Sequence, residues 1–417
     1  MEKKEKVFVE IANHIQFKDK MIVGGDTFLS RKISGDNRYV AVLSDGLGSG
    51  VKANVLSTMT ASMALNYRLK REPILRSALS VMNALPVDSV RNISYATFTI
   101  VDIDFEGQTE IVEFDTPPYL LFRDLEAVNP TKEAIGIDKD GQEYRAFEGD
   151  TEAMAKLAIG VSKFRVLHRS HLKLCKDDRI IFYSDGVTQA GMGAPNHPFG
   201  WGDEQVVQFV QGVLQQNPHV SARDLSKIIV NEALKKDRMK SKDDISCAVI
   251  YCREPRKLLL CSGPPYDSQK DTALANMVAH YKGKTIVSGG TTSKIIAREL
   301  NRELFVDLTK IKSKDYPPSA QMEGIDLVTE GILTLGVVVE LLAKENPLED
   351  FGDSPAEEIV RMILESDSID LVIGTRINEA HHDPSLPVEL EIRRNVIKRM
   401  AYLLEEKWLK KVNVEFI

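Results

Sequence analysis

The sequence predicts an α/β protein of two domains, and three observations carry that prediction. Over residues 1–252, segments rich in Val and Ile follow one another directly, and helical segments fall in two blocks. Over residues 256–417, strand-like and helical segments alternate. Between them "REPRK", Arg253 to Lys257, is charged and carries a proline, as a domain boundary does. The first pattern implies antiparallel sheets with helices outside them. The second implies a smaller α/β domain with a mostly parallel sheet, for which a ligand-sensing or regulatory role is expected.

In chain order, residues 7–11, 20–33 and 38–44 read as strands, with "SGDNR", Ser34 to Arg38, as a hairpin turn. Good helix formers fill 51–70, and a second helix follows Pro73 to about Leu85. Strands are expected near 93–104, 109–115, 119–123, 164–172 and 178–184, with a polar stretch near 130–155. Helices fit 203–216 and 221–236, and "ISCAVIYC" closes the first domain as a strand at 245–252. Beyond the boundary, "KLLLCSGPP", "KTIVSGG" and "DLVIGTRIN" read as strands. Helices are expected over "DTALANMVAHY", "TTSKIIARELNREL", 324–345, 355–366 and about 388–410.

The chain has 417 residues, 43% hydrophobic and 28% charged, with a net charge of −7, which argues against a nucleic-acid partner. No apolar run reaches the roughly 18 residues that span a bilayer, and "MEKKEKVFVE" has no signal-peptide core. The four cysteines, Cys175, Cys247, Cys252 and Cys261, form no CxxC pair, so reduced thiols and a cytoplasmic location are expected.

Acids stand where buried strands end. They are Asp26 in "VGGDTF", Asp45 in "LSDGLG", Asp185 in "YSDGVT", and Asp243 beside Asp244 in "SKDDIS". One Ser-Asp-Gly is an ordinary turn, and a lone Lys-Asp-Asp is an ordinary solvated surface. Two strand-terminal Ser-Asp-Gly units 140 residues apart, in order with the other two acidic segments, are not. A carboxylate at a buried strand tip is costly unless its charge is offset, and gathered carboxylates raise one another's pKa. Divalent cations resolve both conflicts, and all-oxygen ligands favour Mg²⁺ or Mn²⁺. The glycine after each acid is expected to bend the backbone and to bring the Gly46 carbonyl to the same ion. Two such ions sharing a water suit in-line attack on phosphorus.

At these residues the chain resembles the metal-dependent PP2C (PPM) phosphatases, in the bacterial branch that includes SpoIIE, RsbU and RsbX. The matching segments are "GGD" at 24–26, "SDGLGSG" at 44–50, "LAIGV" at 157–161, "FYSDGVTQA" at 182–190, "FGWGDEQV" at 199–206 and "SKDDIS" at 241–246. The resemblance implies an α/β/β/α sandwich with a metal site of two or more ions between its sheets. It implies Asp45, the Gly46 carbonyl, Asp185 and Asp243 as ligands, with Asp45 bridging. Asp26 would act through water or on a weaker ion, and Asp244, counted with the metal site, is a neighbour that holds the loop. It implies phosphoserine or phosphothreonine proteins as substrates, and regulation at the helices behind the first Asp-Gly. The chain departs from the pattern at Leu47, where no general acid can be named, and at "FDTPPYLL", Phe114 to Leu121. The alternatives are a catalytically inactive binding module and a phosphatase of a small phosphometabolite. No membrane partner is expected, and dimerisation is left undecided.

In the second domain "VSGGTTSKIIARE" runs from a strand through Gly289, Gly290, Thr291, Thr292, Ser293 and Lys294 into a helix. Amides at a helix start, hydroxyls and a lysine suit a small anionic ligand. The spacing is not that of a Walker loop. "CSGPPYD", Cys261 to Asp267, is expected at the same sheet edge. In "EAHHDP", 379–384, His381, His382 and Asp383 could bind a metal, but adjacent histidines point apart, and a polar loop at the same sheet edge is expected.

Overall fold

A computed structural model describes residues 8–33, 38–85, 96–137, 143–147, 165–306, 320–344, 352, 354–376, 386–408 and 410–417. The hairpin turn at 34–37, "LAIGV" and "EAHHDP" lie outside the described residues. The chain divides into two compact units, Met1–Glu254 and Pro255–Ile417.

The first unit contains strands β1 (Phe8–Gln16), β2 (Asp26–Ile33) and β3 (Arg38–Gly46), then helices α1 (Val51–Leu69) and α2 (Ile74–Ala84). Strands β4 (Ala96–Ile103), β5 (Gln108–Phe114), β6 (Leu120–Arg123), β7 (Glu126–Val128), β8 (Lys132–Ile137), β9 (Glu143–Phe147), β10 (Arg165–Lys173) and β11 (Arg179–Tyr183) follow. The unit closes with α3 (Asp185–Thr188), α4 (Asp203–Gln216), α5 (Ala222–Lys236) and β12 (Ile245–Arg253). One sheet has the order β1-β12-β11-β6-β7 and the other β2-β3-β4-β5-β10-β8-β9.

Period-2 alternation builds four layers from these strands. Ala41 and Leu43 of β3 meet Ile180 and Phe182 of β11 and Ala248 and Ile250 of β12, in a core between the sheets. Their neighbours Val40 and Val42 turn the other way, onto Ala61 and Ala64 of α1 and Ala78 and Val81 of α2. Ile181, Tyr183, Val249 and Tyr251 turn outward onto Val206 and Val210 of α4 and Leu225 and Ile229 of α5. The result is an α/β/β/α sandwich. Residues 20–25, expected as strand, are turn and bend before β2 starts at Asp26. The stretch near 130–155 contains β8 and β9, which pair antiparallel.

The second unit contains β13 (Lys257–Ser262), α6 (Asp271–Ala279), β14 (Lys284–Ser288), α7 (Gly290–Leu300), β15 (Leu304–Val306), β16 (Ala320–Met322) and β17 (Ile325–Thr329). It continues with α8 (Ile332–Ala343), α9 (Pro355–Glu365), β18 (Ser368–Ile373), α10 (Leu386–Glu406) and β19 (Lys411–Phe416). The sheet order is β15-β16-β17-β14-β13-β18-β19. β17, β14, β13, β18 and β19 are parallel, and β15 and β16 add an antiparallel edge, so the sheet is mixed. Leu258, Leu260, Ile369 and Leu371 face α8, α9 and α10. Leu259, Cys261 and Val287 face α6 and α7. The helix expected over 324–345 is a strand followed by a helix. Gly324, at φ 72°, turns β16 into β17, and α8 begins only after the second Glu-Gly, at Gly331.

Among the described residues no helix is long and apolar enough to cross a membrane. The cysteines are free, and burial lifts the thiols of Cys247, Cys252 and Cys261 well above their usual range. None of those three is a thiolate nucleophile near neutral pH.

Candidate metal centre

Two strand pairs, one from each sheet of the sandwich, present the acids. In the first, antiparallel β2 and β3 place Asp26 directly opposite Asp45. Like charges in such a pair repel. In the second, Tyr183 at the end of β11 pairs with Cys247 near the start of β12. That register brings Asp185, just past β11, to the side of Asp243 and Asp244, just before β12.

Main-chain and hydroxyl groups tie the two pairs together. Ser246 donates its Oγ hydrogen to Asp26 Oδ2 (2.5 Å). Asp244 accepts from the amides of Lys18 (2.8 Å) and Gly25 (2.5 Å), one on each oxygen. The Gly46 amide donates to the Gly25 carbonyl (3.2 Å). Asn54 of α1 donates its Nδ2 hydrogen to the Gly24 carbonyl (2.9 Å). Gln189 donates to Asp185 Oδ2 (2.7 Å), and the Asp244 amide donates to Asp243 Oδ1 (3.0 Å).

The glycines that follow the acids are there for close approach rather than for a bend. Neither Gly46 nor Gly186 has a left-handed φ. A Cβ on Gly46 would stand 2.2 Å from the Ala53 carbonyl oxygen, and one on Gly186 would stand 2.0 Å from that of Asp244. In both segments the bare glycine lets a neighbouring backbone lie against the acid's own strand end. The turning after Asp45 is done by Gly48 and Gly50, at φ 102° and 73°.

The electrostatics are those of gathered acids. Burial is the largest cause at Asp45, and repulsion from Asp26, Asp185 and Asp243 adds to it, pushing this carboxyl up to about 10. Burial also raises Asp26, to about 7, although hydroxyls of Ser246 and Ser184 work against it. Asp185 is raised by burial and then by Asp243. Asp243 is raised by burial, with the Asp244 amide and Lys18 opposing. Asp26 and Asp244 are 4% exposed, whereas Asp45, Asp185 and Asp243 keep an open side. Among the described residues, no three Asp, Glu, His or Cys side chains converge tightly enough to hold an ion as they stand. Asp45 feels Asp26, Asp185 and Asp243 at once, in a looser arrangement than a closed ligand shell. The donor set is all oxygen, and its surplus negative charge fits a hard divalent cation.

The structure therefore brings Asp26, Asp45, Gly46, Asp185, Asp243 and Asp244 into one neighbourhood. It engages both oxygens of Asp244 with amides. Gly289 to Lys294 belong to the second unit, at the start of α7. Sequence reasoning passed over Ser184, Ser246, Gln189 and Asn54. Ser184 stands next to Asp185, which was the available signal, whereas Ser246 meets Asp26 only through packing.

A family model for Stage II sporulation protein E (SpoIIE) matches residues 35–253, just over half of the chain. The chain belongs to that family, a PP2C-like class of phosphatases. It is similar to a solved structure of the PP2C phosphatase domain with a fragment of the regulatory domain of SpoIIE from Bacillus subtilis, at 14% identity and a TM-score of 0.44. The match covers 60% of this chain and 64% of that one. The RsbU and RsbW domains of Rv1364c from Mycobacterium tuberculosis match at 16% identity and a TM-score of 0.43, covering 66% of this chain and 68% of that one. RsbX in complex with magnesium matches at 17% identity and a TM-score of 0.33, covering 59% of this chain and 99% of that one. No curated protein matches the chain.

Proposed function

We propose that the first unit is a Mg²⁺- or Mn²⁺-dependent protein serine/threonine phosphatase. The observation that carries this reading is the gathering of acids around Asp45, whose carboxyl is pushed up to about 10 by burial and by three acidic neighbours. Asp45, the Gly46 carbonyl, Asp185 and Asp243 would hold the ions, and Asp26 would act at the edge of the set. When bound, two such ions supply an activated water and neutralise phosphoryl oxygens.

The chain's own residues have separable tasks. Asp45 must release its proton before it can serve as a ligand, so ion binding is coupled to proton loss. Gln189 fixes the rotamer of Asp185, and Ser246 fixes that of Asp26. Asp244 positions rather than ligates, because its oxygens anchor the Lys18 and Gly25 amides. Asn54 ties α1 to the Gly24–Asp26 loop. A shift of α1 would therefore reach Asp26, which supports the reading that regulation by a partner or a second copy acts through this helix.

The substrate is a phosphoserine or phosphothreonine protein. The test is phosphate release from a phosphoserine peptide and from p-nitrophenyl phosphate, in EDTA, Mg²⁺ or Mn²⁺. Turnover of both, dependent on the ion, is expected. Turnover of small phosphate esters alone would move the substrate to a phosphometabolite.

A further inference from the structure

The second unit carries a loop that the phosphatase reading does not use. Its five parallel strands run β17-β14-β13-β18-β19, which in chain order is 3-2-1-4-5. In such sheets ligands gather at the carboxyl ends of the strands, above all where the order reverses. The reversal here lies between β13 and β18, and it is packed shut. A Cβ on Gly374 would stand 2.1 Å from the Pro264 carbonyl oxygen, and Arg393 Nη1 donates to the Gly374 carbonyl (3.1 Å). The "CSGPPYD" loop is thus closed by backbone.

The next position along the same edge is open. β14 ends at Ser288, and α7 starts at Gly290 after Gly289, at φ 129°. Among the described residues, a side chain on Gly290 would meet nothing within 4 Å. The first amides of a helix have no acceptor within the helix, and Gly289 has no side chain with which to cap them. The first turn contains no acid.

A second, independent feature points to a ligand. Thr292 is 1% exposed, and its Oγ1 has no hydrogen-bond partner among the described residues. That oxygen lies 3.3 Å from where a Cβ on Gly289 would be, at the mouth of the helix. The hydroxyls beside it are satisfied. Ser288 donates to the Glu330 carbonyl (2.7 Å), and Ser293 donates to the Gly290 carbonyl (3.0 Å). A buried hydroxyl left unpaired is destabilising, and here it sits in the first turn of α7, whose Gly290 lies one turn before exposed Lys294.

We propose that the mouth of α7, formed by Gly289, Gly290, Thr292 and Lys294, binds the phosphate group of a small molecule. Amides and the Thr292 hydroxyl meet its oxygens, Lys294 offsets its charge, and Gly289 leaves the room. Glu330, exposed at the end of β17, brings a carboxylate to the same edge. It weakens the hold on free orthophosphate and can accept hydroxyls of an esterified one. Ser293 contributes its place in the helix, not its hydroxyl.

The test is calorimetric titration of the full chain with orthophosphate and with a nucleoside monophosphate, in EDTA, so that the acids of the first unit hold no cation. Two variants accompany it. Gly290→Asp places the chain's own carboxylate at the helix mouth, where it is favourable. Thr292→Val removes the unpaired hydroxyl at nearly constant volume. Both are expected to melt at or above the parent temperature, and each is expected to lose about tenfold or more in phosphate affinity. Saturable binding of either probe, weakened in both variants, supports the site, and the tighter probe identifies free or esterified phosphate. Absence of saturable binding, or binding that survives either substitution, overturns it.

Discussion

Asp26 and Asp45 are held opposite each other by strand register, and their raised pKa values have a thermodynamic consequence. Each folded-state carboxyl keeps a proton that the unfolded chain releases near the ordinary carboxylate pKa. Stability from that protonation is complete below about pH 4 and is lost as pH climbs through about 7 for Asp26 and about 10 for Asp45. The melting temperature of metal-free protein should therefore fall between about pH 5 and about pH 9, and fall less in Asp45→Asn. A pH profile identical in the two proteins would contradict this. Added Mn²⁺ should reverse the trend, with a larger thermal shift at the alkaline end, because it binds the deprotonated acids. Ser246→Ala removes the hydroxyl that orients Asp26. It should lower ion affinity by about 10- to 100-fold, measurable by Mn²⁺ titration. The acids were legible in the sequence because a carboxylate at a strand tip demands an explanation within a few residues. Ser246 was not, because its partner is 220 positions away and only the packing of the two sheets brings them together.

At the scale of elements, the two Asp-Gly units are junctions where another backbone presses on the strand end. Gly186→Ala would drive a methyl group into the Asp244 carbonyl. The expected cost is about 1–3 kcal/mol, with a matching loss of ion affinity, since Asp244 anchors the Gly25 amide. Chemical denaturation of this variant checks the first part, and no measurable change would contradict the close approach. The sequence leads one to expect these glycines for a sharp bend, whereas the reason they are needed lies in tertiary contact. Apolar runs such as β3, β11 and β12 were legible because, apart from an arginine at one end of each and Asp45 in β3, their residues are apolar or small and the flanks carry turn residues. "IDLVT" was not, because joined to the apolar α8 sequence it imitates one long helix. Glu330 and Gly331 separate the two.

At the scale of the molecule, the chain divides into the compact units Met1–Glu254 and Pro255–Ile417, and the division falls within the charged segment 253–257. What could not be read was strand order. The 3-2-1-4-5 arrangement, the antiparallel edge of β15 and β16, and the added β19 depend on pairings between distant segments. The central claim is that the acids of the first unit make a metal-dependent phosphatase. The most direct test is hydrolysis of a phosphoserine peptide in EDTA, Mg²⁺ or Mn²⁺ by the parent chain and by Asp185→Asn. Turnover that requires the ion and falls by about 100-fold or more in the variant is the predicted result. Turnover in EDTA, turnover that survives Asp185→Asn, or none with either ion in a folded protein would contradict it.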